Sequence, residues 1–199
     1  MTRTRILRSL GALAAGITLA ALLSPATSQA MATQAATAAS NTSWYGPYVF
    51  TSYAGGRCLA ADSQGLGQNG TRIWLWDCYP PSQQGEMWWL HLMPYSNTYG
   101  TAYQVVGVES RRCLDAAAQD GGRNGTHIQL WDCLGAQQTN QLWWVYRNDY
   151  NHGYVLKNVA SGRVLDAAAQ DWGLNGARVQ LWDDLGDNQL NQRWTETTW

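Results

Sequence analysis

The sequence predicts an all-β domain made of three copies of one unit that close around a shared axis. Three observations predict it: a landmark set repeated three times, an Asn-Gly dipeptide inside each copy, and a strand of period two after each dipeptide. Arg57-Cys58-Leu59-Ala60 recurs as Arg112-Cys113-Leu114-Asp115 and as Arg163-Val164-Leu165-Asp166. Leu75-Trp76-Asp77 recurs as Leu130-Trp131-Asp132 and Leu181-Trp182-Asp183, at offsets of 55 and then 51 residues. Fixed-period self-similarity is the mark of a repeat architecture.

The dipeptides Asn69-Gly70, Asn124-Gly125 and Asn175-Gly176 read as two-residue hairpin turns, because both residue types tolerate positive φ. The strand that follows alternates. Ile128 and Leu130 fall on one face, and His127, Gln129 and Trp131 on the other, as in a half-buried strand. Tyr103 to Val108 and Tyr154 to Val159 supply further strand-like runs. Ala116-Ala117-Ala118 is too short for a helix. One unit cannot bury its own apolar face, whereas three can close on each other. A solenoid is the alternative, and the lack of distinct polar caps favours closure.

The chain has 199 residues. Arg3, Arg5 and Arg8 precede an apolar run from Leu10 to Leu23, the layout of a secretory signal peptide over 1–30, with cleavage as late as Ala38. Residues 31–43 are Ala/Thr-rich without periodicity, and a disordered tail is expected there. The single domain spans 44–199, with repeats about 44–95, 96–148 and 149–199, and leaves no room for a separate catalytic domain. Of 13 basic residues, ten remain once Arg3, Arg5 and Arg8 are removed, against 14 acidic ones, so the mature net charge is −4. Without a basic patch, nucleic acid is a poor partner. No membrane span is expected, since the apolar run is shorter than a bilayer requires.

Cys58 and Cys78 are 20 apart, as are Cys113 and Cys133, and the third copy loses both partners together to Val164 and Asp184. This predicts two disulfides, one in each of the first two repeats, in an oxidising compartment. A metal site is disfavoured: there is no Cys-x-x-Cys, and His91, His127 and His152 occupy different repeat positions. The chain holds 12 Trp and 10 Tyr but only one Phe, Phe50. Amphipathic aromatics serve wet surfaces as well as cores. Trp88, Trp143 and Trp194 are assigned to the core, and Trp131 and Trp182 to the outward strand face. Trp172 lacks a counterpart in the other copies.

These residues resemble the ricin B-type lectin family, which also includes the sugar-binding modules of bacterial xylanases. Its mark is a Cys-Leu-Asp start, a Gln-Leu-Trp-Asp-Cys middle and a Gln-x-Trp end. The second copy matches throughout: Cys113-Leu114-Asp115, Gln129-Leu130-Trp131-Asp132-Cys133 and Gln141-Leu142-Trp143. The third matches without its cysteines: Leu165-Asp166, Gln180-Leu181-Trp182-Asp183 and Gln192-Arg193-Trp194. The resemblance covers essentially the whole mature chain. It implies a β-trefoil with pseudo-threefold symmetry and one shallow sugar pocket per competent repeat.

The expected carbohydrate-binding residues are Asp115, Gln129, Trp131, Asn140 and Gln141, and then Asp166, Gln180, Trp182, Asn191 and Gln192. Each Asp can accept from two neighbouring sugar hydroxyls. Asn140 and Asn191 carry both donor and acceptor. Trp131 and Trp182 offer stacking platforms, and Gln129 and Gln180 share that outward face and reach the rim. By resemblance, Gln141 and Gln192 hold the Asp from behind. Asp77, Asp132 and Asp183 are expected to satisfy backbone N–H groups at turns. The first copy departs from the pattern at Ala60, Trp74, Gly85 and Glu86 and is read as structural, with Asp62 as a displaced carboxylate the lesser reading.

The expectation is therefore a secreted, monomeric glycan-binding lectin without cofactor or catalysis, its ligands galactosides or xylan-type polymers. The rivals are a trefoil protein ligand or protease inhibitor, and a small glycosidase. A glycosidase needs two carboxylates across one cleft, and the scattered Glu86, Glu109 and Glu196 supply no repeated pair.

Overall fold

The computed structural model describes residues 43–65, 67–79, 84–147 and 153–198. The chain divides into two units, 1–37 and 38–199, and all described residues lie in the second. The expected signal peptide, and the expected tail except Ser43, lie outside the described residues.

Among the described residues the regular structure is five short 3-10 turns and twelve strands: β1 (Trp44–Ser52), β2 (Cys58–Ala61), β3 (Ile73–Trp76), β4 (Met87–Asn97), β5 (Gly100–Gly107), β6 (Cys113–Ala116), β7 (Ile128–Trp131), β8 (Trp143–Arg147), β9 (Tyr154–Asn158), β10 (Val164–Ala167), β11 (Ala177–Trp182) and β12 (Trp194–Thr198). Six of them close a ring by antiparallel pairing, in the order β1–β4–β5–β8–β9–β12 and back to β1. The other six form three hairpins, β2–β3, β6–β7 and β10–β11. Each hairpin is tied to the barrel by one pair: Thr51 with Cys58, Val106 with Cys113, Lys157 with Val164. The hairpins also touch each other, through Arg178 with Trp74, Arg72 with Gln129 and His127 with Gln180. Closure, rather than an open stack, removes most of the free sheet edge.

The core is built from the inward phase of every strand. Leu59, Leu75, Leu114, Leu130, Leu165 and Leu181 are all fully buried. Trp88, Trp143 and Trp194 lie among them, as the sequence predicts, and each indole N–H finds a backbone carbonyl, at Leu59, Leu114 and Leu165 over 2.9–3.2 Å. This satisfies the polar handle that would otherwise make a buried Trp costly. Phe50, which has no handle, is also fully buried.

Both expected disulfides are present, Cys58–Cys78 and Cys113–Cys133. In the third copy Val164 is buried, and Asp184 instead faces Arg193 at 3.7 Å. Arg193 occupies the place of Met87 and Leu142, so one buried apolar residue and one cystine give way to an ion pair.

The Asn-Gly dipeptides do not form two-residue hairpins. Gly70, Gly125 and Gly176 take φ between 82° and 86°, but their Asn partners stay at negative φ, inside longer connections between the hairpin strands. Tertiary contacts have claimed each Asn. Asn69 donates to the Asp132 carboxylate and accepts from the Asp132 backbone N–H, both at 2.8 Å. Asn124 does the same to Asp183, and Asn175 to Asp77. Arg112, Arg163 and Arg57 complete the three clasps by pairing with Asp132, Asp183 and Asp77. The three Asp residues thus join one copy to the next, in place of the local turn bonds expected from the sequence.

Candidate functional site

The site in the second copy starts from a strand register. Asp115 on β6 stands directly opposite Gln129 on β7, so their side chains share one face of the hairpin. A short 3-10 turn, Thr139–Gln141, then brings Asn140 and Gln141 against β6. Gln129 donates its amide to Asp115 Oδ1 at 3.0 Å. Asn140 and Gln141 donate theirs to Oδ2 at 2.9 and 3.0 Å. Asn140 also donates to the Ala116 carbonyl, and Gln141 to the Asp132 carbonyl while accepting from the Leu134 N–H.

The third copy repeats this set. Asp166 faces Gln180 across β10–β11. It accepts from Gln180 at 2.9 Å, Asn191 at 2.8 Å and Gln192 at 3.0 Å. Gln192 also bonds the Asp183 carbonyl and the Leu185 N–H. The structure therefore brings together the Asp, Asn and both Gln residues of each expected set. Each tryptophan, Trp131 and Trp182, lies two residues along the strand from its Gln. Trp131 is 38% exposed and Trp182 half-buried, both pointing away from the core.

Two details differ from expectation. Gln180 is only 4% exposed and does not reach the rim; its cross-strand carboxylate has captured its amide. Nor is each Asp an open acceptor for two hydroxyls. A carboxylate offers about four lone-pair sites, and three amides already occupy Asp115. Burial raises the Asp115 and Asp166 carboxyls above their ordinary value, while those amide bonds oppose the rise. The amide bonds leave one carboxylate lone pair free beside the Asn side chain, with an outward-facing indole on the same hairpin. Beside Asn140 opens a cavity of about 510 Å³, lined also by Ala116, Gly122, Thr139, Asn158 and Ser161. Among the described residues, no cluster of three or more His, Cys, Asp or Glu is placed to hold a metal ion.

Trp172 is exposed, and its loop runs close to the first copy: a Cβ added to Gly55 would collide with the Trp172 carbonyl oxygen. The single-copy Trp therefore sits on a junction between copies. The Asn-Gly asparagines were missed as junction residues. Their signal was present, since Asn, Arg and Asp recur together in every copy.

The geometry can be set against known proteins. The ricin-type beta-trefoil lectin domain-like family matches this chain over residues 38–131 and again over 87–182. The chain belongs to that family. No protein of curated function matches it by sequence. Among solved structures, the designed three-fold symmetric protein ThreeFoil aligns over 78% of this chain and 100% of its own, with a TM-score of 0.64 and 19% identity. An exo-beta-1,3-galactanase from Clostridium thermocellum aligns over 77% of this chain but 30% of its own, with a TM-score of 0.63 and 19% identity. The C-half of an earthworm R-type lectin, in complex with GalNAc, aligns over 76% and 98%, with a TM-score of 0.52 and 18% identity. At these identities the likeness is one of fold.

Proposed function

We propose that this protein is a secreted, monomeric lectin that binds glycans through two shallow pockets, one in the second copy and one in the third, of a pseudo-threefold β-trefoil. The observation that carries the reading is the Asp–amide cluster beside an outward Trp, made twice from the same residues. A pyranose has hydroxyls at its edge and a C–H patch on one face. Asp115, Asn140 and Trp131, or Asp166, Asn191 and Trp182, offer matching chemistry. The amides of Gln129, Gln141, Gln180 and Gln192 fix each carboxylate before a sugar arrives, so little ordering is left to binding.

Family membership and the earthworm lectin's GalNAc complex support a carbohydrate ligand. Galactosides and xylan-type polymers are the classes proposed. Catalysis is not proposed: the two Asp clusters are separate, equivalent pockets rather than one acid–base pair. Among the described residues no helix is long and apolar enough to cross a membrane.

A glycan array probed with the parent protein and with the Trp131→Ala/Trp182→Ala double variant tests this. Sugar-dependent signal that the double variant loses is expected. Signal that survives in the double variant, or a parent that binds no glycan, overturns it.

A further inference from the structure

The first copy lacks the Asp and Asn of the other two, yet it is not closed over. Ala60 stands where Asp115 and Asp166 stand, and Gly85 where Asn140 and Asn191 stand. A cavity of about 530 Å³ opens beside Ala60 and Gly85, the first-copy counterpart of the one beside Asn140 and within the range of small-molecule sites. Its walls differ in kind from the other pockets. Trp74 replaces the amide of Gln129 and Gln180, and its ring centroid lies 5.1 Å from that of Trp76. Tyr79 adds a third aromatic ring to the lining.

Three carboxylates also line it: Asp62, Glu86 and Glu109. Glu86 takes the place of Gln141 and accepts the Tyr79 N–H at 3.0 Å, just as Gln141 accepts that of Leu134. With Ala60 opposite, the negative charge has moved from the strand to the 3-10 turn. Glu109 has no counterpart, since Ala54 and Ala160 hold its place at the other two junctions. Its Oε2 lies 3.5 Å from the point where a Cβ on Gly85 would sit, so it leans over the vacated space. Among the described residues, no Lys, Arg or His lines it. Arg112, which donates to the Gly67 carbonyl at the edge, is already paired with Asp132.

We infer that the first copy is a third, chemically distinct site that takes a protonated amino sugar, its ring on the Trp74–Trp76 wall and its ammonium toward Glu109, Asp62 and Glu86. Indole faces and carboxylates both attract a cation, and a pyranose ring has the apolar face the indoles need. A neutral sugar finds neither the Asp nor the Asn of the other copies here. The inference rests on this cavity and stands apart from the proposed binding at the other two pockets.

Tryptophan fluorescence titration of the full chain tests it, with glucosamine, N-acetylglucosamine and choline as probes. Glucosamine is expected to bind the parent and the Asp115→Ala/Asp166→Ala variant alike. Glu109→Gln, an exposed substitution that leaves the core untouched, is expected to weaken it roughly tenfold, the effect of one lost charged hydrogen bond. Trp74→Ala is expected to abolish it. N-acetylglucosamine, which has no ammonium, is expected to bind the Asp115→Ala/Asp166→Ala variant far more weakly than glucosamine. Glucosamine binding that is lost in that double variant overturns the inference, as does binding indifferent to Glu109→Gln. Choline binding as tightly as glucosamine overturns the amino-sugar assignment.

Discussion

Asn124 and Asp183 grip each other twice. The Asn124 amide N–H donates to the Asp183 carboxylate at 2.8 Å, and its amide oxygen accepts the Asp183 backbone N–H at 2.8 Å. The Asp183 carbonyl in turn accepts from Gln192, which also holds Asp166. A junction between copies is thus wired to a candidate sugar pocket through three residues. Asn124→Ala removes both of these bonds and the one that Arg163 donates to the Asn124 amide oxygen, and a loss of about 1–2 kcal/mol is expected. Urea unfolding measures it. Binding by the third-copy pocket should weaken at the same time, while the second-copy pocket, isolated in an Asp166→Ala background, should not change.

Acid should release glycan before it unfolds the protein. Burial raises Asp115 and Asp166 above 3.8. As pH falls through those raised values, each carboxylate gains a proton and loses an acceptor that the amides and the sugar both use. Because the folded state holds these protons more tightly than the unfolded chain does, their uptake does not cost stability. Asp120 has the opposite sign. The His127 backbone N–H and ring hold its carboxyl below 3.8. Its stabilising contribution is present above the unfolded value and lost only as pH falls through the lower folded one. Affinity measured against pH is expected to decline from above pH 3.8 while the circular dichroism spectrum stays native. Affinity that is flat down to that pH would contradict the argument.

The ion pair that replaces the third cystine should be dispensable. Arg193 has a side chain only 2% exposed, with Asp184 and Asp187 at 3.7 and 3.6 Å. Only the guanidinium is buried, since the two carboxylates are 30% and 47% exposed, so an apolar side chain of similar volume leaves no buried charge unpaired. Met87 and Leu142 already stand at this place in the other copies. Arg193→Met is therefore expected to leave the denaturation midpoint unchanged or raise it. Replacing Cys113 and Cys133 by Ala should instead cost about 3 kcal/mol, the constraint of a 20-residue loop. Parallel chemical denaturation curves compare the two.

Two weak pockets should act together on a surface. Each neutral hydrogen bond to a sugar gains only about 1 kcal/mol against water, so a single pocket holds a monosaccharide weakly. When one polymer spans both, the second contact is intramolecular and avidity rises about 10²–10⁴-fold. Asp115→Ala should leave monosaccharide affinity at the third copy unchanged but sharply reduce retention on an insoluble polysaccharide. Equal retention of variant and parent on a ligand-dense column would show one pocket doing all the binding.

Repeat and period carried most of this architecture into view. Ile128, Leu130 and Trp131 alternate in the sequence as they do in β7, and the Cys spacing is itself a pairing rule. The site residues were legible because they recur as a set. What escaped was whatever depends on which copy touches which. Asn69 looks like a turn former, since local chemistry favours that use, yet Asp132, 63 residues away, has captured it. Gln180 sits in the outward phase of its strand yet is buried, and His127 of the second copy is bridged to it, a contact that no single repeat reveals. At Ala60 and Gly85 the substitutions show only which side chains are missing; the cavity beside them is visible only in three dimensions.

The pairing of β1 with β12, with Tyr48 opposite Thr198 and Ser52 opposite Trp194, makes the first strand of the barrel wait for the last. A chain emerging residue by residue can form the hairpins of each copy early, but it cannot latch the ring until its final strand is free. Long-range closure of this kind slows folding. It also sets the two ends of the barrel side by side, so a short linker could join them and new ends be opened at the exposed Asn97–Gly100 turn, giving a circularly permuted domain with the same ring of strands.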